Sequence, residues 1–136
     1  MYQKIIIAGN LGRDPEMRYA PSGSPVTSFS VASSRKYTSA EGDLVEETGW
    51  YRVSAWNRLA EVCAEYLTKG AKVLVEGRLK IDPPTGGPRI WQDSDGAART
   101  SFEVTAATVT FLSGKPAENG EVEGEDIGVE EEAIPF

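Results

Sequence analysis

Only one stretch of this chain carries a helical period, and that restricts the folds open to it. Leu59, Val62, Cys63, Tyr66 and Leu67 recur at i, i+3, i+4, i+7 and i+8, which lines one face of a helix with apolar side chains. Asn57 is placed to cap its start, and Lys69 and Gly70 supply a basic last turn and a terminal glycine. The expected helix therefore runs from Arg58 to about Leu67. Elsewhere the apolar residues alternate or fall in short runs cut by glycine and proline, the pattern of strands and turns.

Gln3 to Ala8 reads as a buried strand, ended by the turn-forming stretch Gly9-Asn10-Leu11-Gly12-Arg13-Asp14-Pro15. Glu16 to Tyr19 is its short continuation after a break, and residues 20–25 turn. Val26 to Ser34 follows as a strand with Thr27, Phe29 and Val31 on one face and Ser28, Ser30 and Ala32 on the other. Small residues on that second face permit close packing or a partner's approach. Arg35 to Glu47 is a polar loop carrying Gly42, long enough to project as a hairpin. Thr48 to Trp56 is the third strand. Its alternation puts Trp50, Arg52, Ser54 and Trp56 on one side and Tyr51, Val53 and Ala55 on the other.

After the helix, Lys72 to Ile81 is a strand with Val73, Val75, Gly77, Leu79 and Ile81 on one face. Asp82 to Arg89, with Pro83-Pro84 and Gly86-Gly87-Pro88, is a loop. Ile90 to Gln92 is a short strand, Asp93 to Gly96 a turn, and Arg99 to Leu112 a long closing strand. Three strands, a helix and two strands make an all-β, five-stranded OB barrel over residues 1–112, with its one short helix between strands 3 and 4.

The net charge of −7 would argue against nucleic acid as a partner if it were spread over the chain. It is not. From Ser113 onward there are eight Asp/Glu and one Lys, whereas residues 1–112 hold thirteen of each sign. The body is neutral and the charge sits in an acidic arm. With almost no large apolar residue before Ile134, that arm cannot offset its ordering entropy, so residues 113–129 are expected to be a disordered linker.

The absence of histidine removes the commonest general base and the commonest metal ligand together. With one cysteine besides, no zinc set exists, and neither a metal nor another cofactor is expected. A lone Cys63 fits a reducing, cytoplasmic setting, and its place on the helix stripe makes it a small core residue. No run approaches the ~20 apolar residues of a membrane helix, and no export signal is seen at the N-terminus.

One face that combines two large aromatics with a cation is odd for a core. Bases stack on aromatic rings without regard to sequence, while flanking Lys and Arg track phosphates. Trp50, Trp56 and Arg52, with Tyr37 in the hairpin and Trp91 near the second loop, form such a set. For any single ring the alternative is that it fills the barrel or a subunit contact. The interleaved arginine moves the set toward binding. Gly9-Asn10-Leu11-Gly12 and the Gly86-Gly87 loop lack the ending of a phosphate-cradling loop, and turn chemistry accounts for Asp93, Asp95 and Gly96. At the far end, Glu130, Glu131 and Glu132 lead to Ile134, Pro135 and Phe136 at a free carboxylate. Such a tip suits a basic-rimmed apolar pocket on another protein. A solubilising tail, the plainer reading, has no need of a terminal Phe.

These motifs, in this order, resemble the bacterial single-stranded DNA-binding protein (SSB) family over nearly the whole chain. The stretch from Lys4 to Tyr19 is similar to that family's first strand and turn, and Trp50-Tyr51-Arg52-Val53 to its third strand. Leu59 to Val62 and Tyr66 to Gly70 match its helix, Val75-Glu76-Gly77-Arg78-Leu79 its fourth strand, and Ile134-Pro135-Phe136 its partner-docking ending. The resemblance implies a homotetramer that binds and protects single-stranded DNA without sequence preference during replication, recombination and repair. It implies stacking by Trp50, Trp56, Trp91 and Tyr37, and phosphate contacts from Lys4, Arg18, Arg52, Arg58, Lys69 and Lys80. Residues 130–136 would dock replication, recombination and repair proteins, and the expected location is the cytoplasm, with the nucleoid. Two other classes stand beside this one: a protein-interaction barrel with negligible DNA affinity, and, weakest, an enzyme.

Overall fold

In a computed structural model, residues 1–113 form a barrel with one helix. The acidic arm from residue 114, including the docking tip at 130–136, lies outside the described residues. The elements are β1 (Ile5–Leu11), β2 (Glu16–Tyr19), β3 (Pro25–Thr38), β4 (Leu44–Trp56), α1 (Arg58–Tyr66), β5 (Lys72–Leu79), β6 (Ile90–Gln92), β7 (Ala98–Thr100) and β8 (Phe102–Phe111). Strands pair in the order β1-β5-β8-β4-β3, and β1 returns to β3 at Asn10↔Ala32 and Leu11↔Val31, closing five strands into a barrel. β4 and β8 are the parallel pair, and β2 adds to the outer edge of β3.

Closure follows from the alternation. Phe29, Val31, Val53, Val73, Val75 and Val104 point inward from four strands and are buried, each worth roughly 1.5–3 kcal/mol relative to exposure. The helix contributes Cys63 and Leu67 to the same cluster. Thr27 is buried with them, and its Oγ1 donates to the Ala60 carbonyl at 2.7 Å, tying β3 to α1. Burial pushes the Cys63 thiol up to about 12.

Several local expectations need correction. β1 does not stop at Ala8: the ladder runs through Gly9 and Asn10 to Leu11, which is a core residue. The segment 35–47 is not a loop, because β3 and β4 pair continuously from Val26↔Trp56 to Thr38↔Leu44 and turn only over residues 39–43. That ribbon buries neither face; its ladder is supplemented by the Arg35–Glu47 ion pair at 2.6 Å and the Ser34–Thr48 hydroxyl contact at 2.7 Å. Asn57 makes no side-chain cap and sits at φ 59°, where its N–H donates to the Pro25 carbonyl at 2.9 Å. The helix ends at Tyr66, so Gly70 (φ 89°) serves the turn into β5, and no basic residue lies in the last helical turn. Leu79 and Ile81 are exposed, lying beyond a register shift at Glu76/Gly77. The closing strand is broken at Ser101, and its first part, β7, pairs with β6 in a separate hairpin.

Candidate nucleic-acid interface

On the outside of the barrel, β4 presents Trp50, Arg52, Ser54 and Trp56, while Tyr51, Val53 and Ala55 turn inward. Both rings stand open to solvent, Trp50 at 55% and Trp56 at 41% exposure. The ladder sets what lies beside each. Trp50 faces Ala32, Arg52 faces Ser30, Ser54 faces Ser28, and Trp56 faces Val26. A strand of mostly small side chains thus leaves a shallow floor next to two large rings. Six residues of strand separate the rings by roughly 20 Å, with the Arg52 guanidinium between them.

Neighbouring strands bring in further cations. Arg18 lies across β2–β3 from Val26, in line with Trp56. Arg52 neighbours Glu103 on β8, and the Lys80 N–H donates to the Glu103 carbonyl at 2.7 Å, which carries Lys80 to the same place. Arg89, from the loop after β5, reaches the Glu103 carboxylate at 3.1 Å. The outcome is a groove lined by Arg18, Tyr19, Arg52, Trp56, Lys80 and Arg89, with Glu103 among them. Four cations and one carboxylate leave a net charge of +3. Cations of one sign in a cleft with low-dielectric walls attract a polyanion despite the neutral whole.

A second groove joins Trp50 and Arg52 to Thr48, Ser101 and the exposed Phe102, which stacks on Tyr51 at 5.5 Å. Trp91 adjoins it, partly buried, with Nε1 donating to Ser101 Oγ at 3.0 Å. The β6–β7 hairpin that carries Trp91 is organised by Asp93, whose Oδ1 accepts from the Asp95 and Ala97 N–H groups. Its Oδ2 accepts from Arg99 Nε at 2.8 Å. Those bonds, the Arg99 guanidinium first, hold the Asp93 carboxyl below its usual range.

Of the residues singled out from sequence, Trp50, Arg52 and Trp56 share one strand face, and Arg18 and Lys80 join Trp56. Trp91 adjoins the Trp50 groove through Ser101, and the rest lie further off. Lys4 is ion-paired to Glu76 at 2.8 Å, which raises its pKa, in a neighbouring groove that shares Lys80 with the Trp56 groove. Arg58 is at the start of α1, 3.8 Å from Glu61, and Lys69 follows the helix, where its N–H donates to Asp14 Oδ1 at 2.8 Å. Tyr37 is on the projecting ribbon with the Arg35 guanidinium 4.7 Å above its ring. Sequence reading missed Tyr19, Arg89 and Phe102, and also Arg13, which lines a small cleft with Gly12, Ser30 and Trp50. Tyr19 and Arg18 sit on a short strand with no buried residue, so no hydrophobic phase marked a face there. Arg89 arrives through a long loop whose path no local pattern dictates.

Known proteins are similar to this chain in sequence and in fold. At 39% identity over 126 residues, the "Single-stranded DNA-binding protein" of Wolinella succinogenes covers 93% of this chain, which spans 74% of it. The protein of the same description from Thermotoga maritima is 40% identical over 131 residues, covering 96% of this chain and 88% of its own length. Among solved structures, the small single-stranded DNA-binding protein of Streptomyces coelicolor superposes with a TM-score of 0.66 at 27% identity. The match covers 80% of this chain and 93% of that one. A Thermus aquaticus single-stranded DNA-binding protein variant gives 0.64 at 27% identity over 82% of this chain, which spans only 51% of it. Residues 2–112 match the sequence model of the Single-strand binding protein family, and with these relatives the chain belongs to that family.

Proposed function

We propose that this chain binds and protects single-stranded DNA without sequence preference, and serves replication, recombination and repair by recruiting partner proteins. The observation that carries the reading is the groove in which Trp56 lies exposed among Arg18, Arg52, Lys80 and Arg89. Stacking is indifferent to base identity and the cations meet only phosphates, so such a surface selects single strands but not sequence. The names of the relatives, single-stranded DNA-binding proteins, point the same way. The family is one of DNA-binding, non-enzymatic proteins, and this chain is not an enzyme.

Trp50, Trp56, Trp91 and Tyr37 are the stacking set in this reading. Arg18, Arg52 and Lys80 are the central phosphate contacts, with Lys4, Arg58 and Lys69 on outlying paths of the strand. Ile6 and Leu79 leave apolar surface on the barrel's outside, in keeping with a homotetramer. Residues 130–136 form the docking tip, and the protein works in the cytoplasm, at the nucleoid. Among the described residues no helix is long and apolar enough to cross a membrane.

Titration with oligo-dT tests the reading. Tryptophan fluorescence is strongly quenched and the affinity weakens as salt rises. Deleting residues 130–136 keeps that binding and abolishes capture of replication and repair proteins. Unchanged fluorescence with no band shift at low salt sinks the DNA reading, and loss of DNA binding on the deletion sinks the division of labour.

A further inference from the structure

The stretch Gly9–Gly12, the end of β1 and the residue after it, lacks the ending of a phosphate-cradling loop but reaches the aromatic face at one point. A Cβ placed on Gly12 would lie 2.6 Å from Cζ3 of Trp50 and 2.9 Å from its Cη2. Atoms that close cannot coexist, so the absent side chain is what admits the ring. The backbone gives no other reason for glycine here: Gly12 is not among the residues at positive φ. Apart from its two chain neighbours, no other residue's atoms come closer to that Cβ position than Trp50's. At Gly23, Gly42, Gly70, Gly86 and Gly96 glycine is required differently, by turns where φ is positive and the added Cβ meets nothing, while Gly9 and Gly77 are crowded most closely by backbone carbonyls rather than by a side chain.

The contact has a direction. Cε3, the next atom round the ring, is already 3.9 Å away, so Gly12 meets the outer edge of the six-membered ring rather than its face. The edge is braced and the faces are left clear, which agrees with the 55% exposure of Trp50. Gly12 is itself fixed, because its N–H donates to the Ser30 carbonyl at 3.0 Å and the preceding Leu11 N–H donates to the Ala71 carbonyl at 2.9 Å. Ser30 is the β3 residue opposite Arg52. One strand therefore holds both the brace for Trp50 and the floor beside Arg52. Arg13, next in the chain, lines the same small cleft as Gly12, Ser30 and Trp50.

We propose that Gly12 is a positioning residue of the DNA interface: its missing side chain sets where the Trp50 indole stands, and so where a base can stack on it. The inference rests on the single-stranded DNA reading above. It predicts a split that a purely structural glycine would not give. In Gly12→Ala the methyl group turns the exposed ring aside, which costs the fold little. A base must then stack on a displaced platform. A complete stack is worth roughly 5- to 150-fold in affinity, and a displaced one loses part of that, about fivefold.

The test is a double-mutant cycle with oligo-dT, read by electrophoretic mobility shift, alongside thermal melting of each variant. Phenylalanine at position 50 lacks the ring that carries Cζ3 and Cη2, so Trp50→Phe removes the atoms that collide. The expected result is that Gly12→Ala weakens oligo-dT binding about fivefold in the natural chain, melts at nearly the same temperature, and has no further effect in Trp50→Phe. Equal losses in both backgrounds, or undiminished binding by Gly12→Ala alone, overturn the inference. If Gly12→Ala fails to fold, Gly12→Ala/Trp50→Phe must fold and bind like Trp50→Phe; should it also fail, the glycine serves the backbone and the proposal is wrong. A natural chain that does not bind oligo-dT defeats the DNA reading instead, which keeps the two failures apart.

Discussion

Replacing Arg52 with glutamine removes one cation from the centre of the aromatic face while keeping a polar side chain of similar reach. Arg52 is exposed and bears no part of the core, so the change should leave stability within about 0.5 kcal/mol. Its effect on binding is set by counterions. Arg18, Arg52, Lys80 and Arg89 against Glu103 give the groove a charge of +3, enough to neutralise three phosphates. For single strands each neutralised phosphate adds about −0.7 to the slope of log affinity against log salt, so this groove supplies about −2.1 and the variant about −1.4. Between about 50 and 200 mM salt the groove's contribution falls about 18-fold in the natural chain and about 7-fold in the variant. The variant's penalty therefore shrinks about 2.6-fold over that range. Titrations with oligo-dT at four salt concentrations measure the slope directly. Trp56→Leu makes the control, since a lost stack should cost the same at every salt concentration. Parallel slopes for the natural chain and Arg52→Gln would refute the reasoning: Arg52 would then be a bystander to the phosphates.

Two further outcomes test the barrel itself. Cys63, buried with its thiol pushed up to about 12, should resist thiol reagents at pH 8 until denaturant is added. Its folded state keeps a proton that the unfolded chain loses above about 9, so this component of stability is intact below that pH and drains away toward 12. Alkaline unfolding curves of the natural chain and Cys63→Ala should accordingly converge as pH rises, and a constant gap would contradict the assignment. Gly77, at the register shift between β5 and β8, has the Thr105 carbonyl directly where a Cβ would go. Because that neighbour is backbone, Gly77→Ala should destabilise the protein by about 1–3 kcal/mol, seen as a lower urea midpoint; an unmoved midpoint would contradict the close approach.

What could be read from the chain depended on whether a residue's partner was the core. Val53 and Ala55 announce the inner face of β4 by alternation, and that alone places Trp50, Arg52 and Trp56 outside. The helix stripe was legible for the same reason. The β3–β4 ribbon was not, because Arg35, Lys36, Glu46 and Glu47 pair across a ladder that buries nothing, so no apolar phase distinguishes strand from loop. Leu11 was hidden by the glycine and asparagine before it, residues that favour turns but here continue a ladder. The gathering of Arg18, Lys80 and Arg89 around Trp56 depends on register across three strands and on a loop path, neither of which is local. Lys4, Arg58 and Lys69 came from family resemblance; Arg58 and Lys69 lie near the two ends of the helix, and Lys4 lies in a neighbouring groove that meets the Trp56 groove only at Lys80.

The alternation along β4 also says how this protein tolerates change. Odd-numbered positions from Tyr51 to Ala55 answer to the core, and even-numbered ones from Trp50 to Trp56 answer to whatever lies in the grooves. Substitution can therefore retune the outer set while the inner set is untouched, and the grip on a ligand can drift freely without endangering the fold. A single-residue insertion or deletion has no such freedom. It would exchange the two sets wholesale, carrying tryptophan and arginine inward and valine outward. This strand is accordingly open to mutation in its letters and closed to mutation in its length.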